Sequence, residues 1–103
     1  MAIGALGAAV RLGLRVPQDI SIVGSDDIWM ARYCYPALTT VRIPRDRLGQ
    51  LAFEMLNKMI QSKRKSGVRQ VLETELVQRR STGLLGNKDM QVEDTIVKRV
   101  HVG

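Results

Sequence analysis

The sequence predicts an α/β fold with a parallel sheet flanked by helices, and three observations carry that prediction. A small-residue apolar segment with helical spacing runs through a short connector into a β-branched strand pattern. A second strand pattern is followed by a longer segment whose apolar residues recur every three or four positions. The order helix, loop, strand, strand, helix places helices against a sheet and points away from an all-helical or all-β chain.

The first helix is expected over residues 1–14, where Ile3, Leu6, Val10 and Leu14 fall at spacings of three and four and Gly13 supplies a stop. Few strongly polar residues interrupt it, so most of its circumference is expected to be covered. Arg15-Val16-Pro17-Gln18-Asp19 forms a connector, because Pro17 lacks a backbone donor and biases Val16 toward extended geometry. Ile20-Ser21-Ile22-Val23 reads as a short strand that ends at Gly24 and leads into Asp26-Asp27.

Residues 28–37 hold Trp29, Tyr33 and Tyr35, with Cys34 between the tyrosines, and read as a lid on the core or as an interface patch. Leu38-Thr39-Thr40-Val41-Arg42-Ile43 is a second strand stopped by Pro44. Asp46 is placed to cap a helix starting near Arg47, with Leu48, Leu51, Ala52, Met55, Leu56, Met59 and Ile60 as its core-facing stripe. Alternation in residues 68–77 puts Val71, Glu73 and Glu75 on one face and Leu72, Thr74 and Leu76 on the other, a strand with a wet face near a sheet edge. Residues 84–103 differ in character: a Gly86-Asn87 turn precedes Val92, Ile96, Val97, Val100 and Val102, which fit a strand, a helix or a frayed tail.

Composition narrows the function classes. A chain of 103 residues with 45% hydrophobic and 25% charged residues has the size and make-up of one soluble domain, and no apolar run is long enough to cross a membrane. The lone Cys34 gives no intrachain disulfide, which favours a reducing cytoplasm. The net charge of +6 is concentrated in residues 58–80, in Lys58, Lys63, Arg64, Lys65, Arg69, Arg79 and Arg80 against Glu73 and Glu75. That stretch holds no aromatic residue to stack on bases, and Lys63-Arg64-Lys65 in its polar, Ser- and Gly-flanked setting reads as a solvated loop, with a small module that binds nucleic acid non-specifically as the alternative. Enzyme chemistry has little support: the single His101 lies in the tail, no Cys/His cluster suits zinc, and neither a Gly-rich dinucleotide loop nor a phosphate-binding Walker loop occurs. No metal and no cofactor is implied.

Met1-Ala2-Ile3-Gly4-Ala5-Leu6 and the run from Gly13-Leu14-Arg15-Val16-Pro17-Gln18-Asp19 through Ile20-Ser21-Ile22-Val23-Gly24-Ser25-Asp26-Asp27-Ile28 resemble the C-terminal part of LacI/GalR-family bacterial transcription regulators. So do Pro36-Ala37-Leu38-Thr39-Thr40-Val41, Leu48-Gly49, Glu75-Leu76-Val77 and Arg80-Ser81-Thr82, in family order. The resemblance covers residues 1–83, expected to be the C-terminal part of an effector-binding and dimerisation domain, and leaves 84–103 as an unmatched tail. It implies a partial periplasmic-binding-protein-like fold lacking the N-terminal part of that fold. It further implies a homodimer or higher oligomer, a small-molecule effector of sugar-like kind in the full-length protein, and operator DNA bound only through an absent N-terminal helix-turn-helix. A sugar-binding fragment of a transport protein is a further alternative.

By family position, residues up to about Arg42 belong to the C-terminal subdomain, the chain crosses a hinge near Ile43 and Pro44, and the following helix joins the N-terminal subdomain. Met1 falls where the family often has an internal methionine after an effector-binding aspartate, so a truncated reading frame or fragment is expected. Ile43 and Arg45 are the candidates to touch an effector. Arg45 offers a bidentate fork to a phosphate or carboxylate, or is a surface arginine beside a helix start. Tyr33, Cys34 and Tyr35 are candidates for a dimer interface. Asp26 and Asp27 are expected to be structural, capping backbone donors at the strand end rather than serving catalysis or a metal. Ser25 stands where the family usually has an aromatic residue.

Overall fold

A computed structural model describes residues 1–63 and 67–84 and the backbone of 96–100. The Gly86-Asn87 turn and the Arg64-Lys65 part of the basic segment lie outside the described residues.

Helix α1 spans Ala2–Arg11. Leu12 ends it, and Gly13 follows at φ +71°, a left-handed conformation that glycine adopts without a Cβ penalty. Leu6 and Ala9 are buried, while Gly4, Ala5 and Val10 face solvent. The expectation that most of its circumference is covered holds in part: Ala2, Ile3, Gly7 and Ala8 are half-buried beside Leu6 and Ala9, and one side stays open. In the connector, Asp19 accepts from the Arg15 backbone amide at 2.7 Å and takes its guanidinium as a fork, at 3.0 Å from Nε and 2.8 Å from Nη2. The connector is thereby closed on itself.

Strand β1 is Val23–Ser25, three residues later than the strand pattern suggests. The reason is a competing partner. The Ile22 amide donates to the Ser81 carbonyl at 2.8 Å, and the Gly83 amide donates to Ser21 Oγ at 3.1 Å, so residues 21–22 pair with the segment that leaves the sheet. Gly24 is required by proximity: a Cβ there would sit 2.8 Å from Leu38 Cδ2 and 3.2 Å from Ala2 Cβ. That absence of a side chain lets α1 and the start of the next strand close over β1.

A 3₁₀ turn over Trp29–Arg32 leads to β2, Thr39–Arg42. Leu6, Ala31 and Leu38 form the buried apolar cluster, flanked by Ala2, Ile3, Val16, Ile22 and Cys34. Helix α2, Arg45–Gln61, follows directly. Pro44, not Asp46, is its N-cap: the Leu48 amide reaches the Pro44 carbonyl at 2.8 Å, so the helix begins two residues before the expected start. Asp46 lies inside the first turn, where its charge suits the positive end of the helix dipole.

No residue of α2 is buried. Leu48, Leu56 and Ile60 of the expected core stripe stand exposed, together with Phe53. The periodicity is correct, but the stripe is only partly covered: Leu51, Met55 and Met59 are half-buried, while Leu48, Ala52, Leu56 and Ile60 are exposed.

Strand β3, Thr74–Gln78, runs antiparallel to β2, and β4, Ile96–Val100, runs antiparallel to β3. The order is β1-β2-β3-β4 with only the β1–β2 pair parallel, so the sheet is mixed where a parallel one was expected. A parallel neighbour needs a crossover back along the sheet. Here α2 starts at the exit of β2 and the chain re-enters at that same end, setting Arg42 opposite Glu75. β3 is also interior rather than at an edge, because β4 from the tail covers its outer side.

Candidate functional site

The turn after β1 is built from two aspartates in left-handed backbone, Asp26 at φ +78° and Asp27 at φ +40°, a region that aspartate tolerates better than most side chains. The Asp27 amide donates to Thr40 Oγ1 at 3.2 Å, which fixes the turn against β2. Ser25, at the position usually aromatic in the family, is exposed and its hydroxyl lies 3.4 Å from Asp26 Oδ1.

Asp27 points inward. Its Oδ1 accepts from Arg79 Nη2 at 2.7 Å and its Oδ2 from Arg42 Nε at 2.8 Å, with the Asp27 and Arg79 side chains only 4% and 5% exposed. The carboxylate thus receives two guanidinium groups instead of the backbone donors that the sequence suggested. Asp26, by contrast, is exposed. Burial opposes the charge on Asp27, but hydrogen bonds and charge from Arg42 and Arg79 outweigh it and hold the carboxyl below its ordinary value. Arg42 also reaches Glu75 Oε2 at 3.3 Å, and its pKa is raised mainly by the hydrogen bond to Asp27.

Arg79 completes the arrangement by donating from Nη1 to the Leu38 carbonyl at 2.8 Å and from its amide to Thr39 Oγ1 at 2.9 Å. Ser81 is fully buried between two strands: its hydroxyl accepts from the Thr39 amide at 2.8 Å and donates to the Ile22 carbonyl at 2.6 Å. Thr82 Oγ1 lies 2.9 Å from Thr39 Oγ1. Arg79, Ser81 and Thr82 therefore fasten the exit of β3 across β2 to the approach of β1. This removes Arg79 from the basic surface of residues 58–80, since its charge is spent inside the fold.

Above this knot lies a solvent-open hollow of about 640 Å³, lined by Asp27, Arg32, Arg42, Ile43, Pro44, Arg45, Asp46 and Arg47. Both sequence-derived effector candidates, Ile43 and Arg45, line it, because they occupy the step from β2 into α2. Arg32 arrives from the 3₁₀ turn and Arg47 from the first turn of α2, and neither was singled out in the sequence. No motif marks them: their relevance comes only from the chain bringing the turn after β1 beside the start of α2.

The other candidates lie elsewhere. Tyr33 and Tyr35 are exposed, Tyr35 at 95%, and Trp29 packs edge-on to Tyr33 with ring centroids 5.8 Å apart. Cys34 is half-buried and its thiol reaches the Met30 carbonyl at 3.2 Å. Among the described residues no cluster of His, Cys, Asp or Glu is arranged to hold a metal, and no helix is long and apolar enough to cross a membrane.

A short mixed sheet with α1 on β1 has a strand end that opens into a hollow where the long helix α2 departs. The chain belongs to the periplasmic-binding-protein-like family, whose sequence profile matches residues 1–82, in the branch of the LacI-type transcription regulators. It is 57% identical over 81 residues to the HTH-type transcriptional repressor PurR of Proteus mirabilis, an alignment spanning 79% of this chain and 24% of that protein. The lac repressor dimer bound to operator and the anti-inducer ONPF superposes with a TM-score of 0.69 at 38% identity, over 79% of this chain and 28% of that one. A LacI-family regulator from Enterococcus faecium with bound ribose gives 0.63 at 34% identity, over 77% and 30%. The chain thus spans about a quarter of the length of the curated relatives it matches.

Proposed function

We propose that this chain supplies part of the effector-sensing and self-association domain of a cytoplasmic LacI-type repressor, acting through binding rather than catalysis. The observation that carries this reading is the hollow at the step from β2 to α2, which gathers Ile43 and Arg45 beside a rigid polar knot. A small molecule held there touches the end of the sheet and the start of α2 together, so it acts on their relative position. The exposed Trp29, Tyr33 and Tyr35, with the half-buried Cys34 against the core between the tyrosines, support the same turn as the self-association surface.

Operator reading belongs to other residues of such a repressor. Among the described residues α1 and α2 are separated by strands, with no pair of consecutive helices to enter a major groove. The 103-residue chain is therefore expected to associate with itself and to show no operator preference. Light scattering that returns a strict monomer at high concentration overturns the self-association. A gel shift that favours an operator over its scrambled sequence at physiological salt overturns the rest.

A further inference from the structure

Among the described residues the sheet ends at β4, whose backbone is paired on the β3 side alone. Its other side offers a row of N–H and C=O groups to a further strand. β1 bounds the sheet at the opposite edge with three residues, against five in β4. β4 also lies beyond residues 1–82, which match the family profile, so its edge is outside the matched domain.

The pattern of charge around β4 states what fits that edge. Ile96, Val97 and Val100 are β-branched and suit a strand, and Lys98-Arg99 set a basic pair within it. An acidic pair, Glu93-Asp94, precedes Ile96 at the same distance at which Lys98-Arg99 follows it, and Val92 mirrors Val100. Two copies of this stretch placed antiparallel about Ile96 therefore set Glu93 opposite Arg99, Asp94 opposite Lys98 and Val92 opposite Val100. Directly opposed residues share a face of the sheet, where opposite charges attract and like charges repel. Centring the pair on Val97 leaves all these charges unmatched, and centring it on Lys98 sets that lysine against itself.

We propose that the open edge of β4 pairs antiparallel with the same edge of a second copy of this chain, in the register centred on Ile96. Two-fold symmetry makes each acid–base pair twice, so charge selects the partner and fixes the register. A lysine in an edge strand guards against pairing when its charge meets no counter-charge. Here the second copy brings one. The aromatic turn follows β1, at the far edge of the sheet, so pairing at β4 is a step separate from association at that turn.

Analytical ultracentrifugation of the 103-residue chain over a range of concentrations at low ionic strength tests this with Asp94→Lys, Lys98→Glu and the two combined in one chain. Lys98 lies opposite Leu76 in the β3 register, so its reversal leaves the Glu75–Arg99 register pair as it is. Each single variant sets like charges opposite each other at two places, and is expected to weaken one association step by about tenfold. The combined variant is expected to regain that step, as is an equimolar mixture of the two single variants. In a Cys34→Ser background, Ile96→Cys is expected to form a disulfide between copies under mild oxidation and Val100→Cys to form none. Circular dichroism of each variant checks that the sheet is retained. Single variants that associate as the wild type does overturn the proposal and leave the aromatic turn as the self-association surface. A combined variant as weak as the single ones overturns the charge-set register, and equal cross-linking at positions 96 and 100 does the same. A wild-type chain that stays strictly monomeric overturns both contacts.

Discussion

Where β1, β2 and β3 converge, a carboxylate, a guanidinium and several hydroxyls are buried; along α2, Leu48, Phe53, Leu56 and Ile60 stand in water. The converging strand ends keep these polar groups inside because they have partners: Asp27 with Arg42 and Arg79, Thr39 with Arg79, Ser81 and Thr82, and Ser81 with Ile22; among the described residues the Thr74 hydroxyl at the start of β3 is buried without one. The helix leaves apolar groups outside because no described element is packed over that part of its stripe. The contrast teaches that the stability of these residues is concentrated at the strand ends.

The largest expected effect comes from breaking the knot at its charged centre. Asp27→Ala strands Arg79 at 5% exposure without its counter-charge, and removal of one partner from a buried pair costs about 3–5 kcal/mol. Urea unfolding is expected to show that loss, and a loss below about 1 kcal/mol contradicts the buried-pair assignment. Ser81→Ala deletes two hydrogen bonds and leaves the Thr39 amide and the Ile22 carbonyl short of a partner, an expected cost of about 1–3 kcal/mol in the same assay.

Acid gives a smaller, graded version of the first experiment. Because the folded state holds the Asp27 carboxyl below its ordinary value of 3.8, folding favours the ionised form. That stabilisation is fully present above the ordinary value and is lost as pH falls below it, through the folded value. Unfolding curves from pH 6 downward are expected to show this acid loss in the wild type and a flatter profile in Asp27→Asn.

The smallest effect on stability is expected on the helix. Leu56→Gln or Ile60→Gln changes an exposed position and should shift unfolding by less than about 0.5 kcal/mol. A loss of about 2 kcal/mol or more at either position means that the helix face is covered in solution, and the contrast between the two regions then fails.

Legibility in the sequence followed the range of the physics involved. The helix α1, its stop at Gly13, the strand over Thr39–Arg42 and the periodicity of α2 are local properties and were readable from spacing. The placement of Ile43 and Arg45 at the hollow followed from the resemblance to a known family. The shift of β1 to Val23–Ser25 was not readable, because it depends on Ser81 and Gly83, about sixty positions away, taking over residues 21–22. Nor did the roles of Arg42 and Arg79 show in the sequence. Arg79 looked like one more member of a basic segment until the fold paired it with Asp27.

The sequence by itself determined α1, the strand over Thr39–Arg42, the periodicity of α2 and the family, since propensity, periodicity and ordered motifs all act over neighbouring positions. Only the tertiary structure decided that the sheet is mixed, that the tail strand β4 covers β3, and that Arg42 and Arg79 become counter-ions of Asp27 while Arg32, Arg45 and Arg47 line a hollow. Burial and pairing of charge depend on which distant segments meet, and a linear pattern of lysines and arginines carries no record of that.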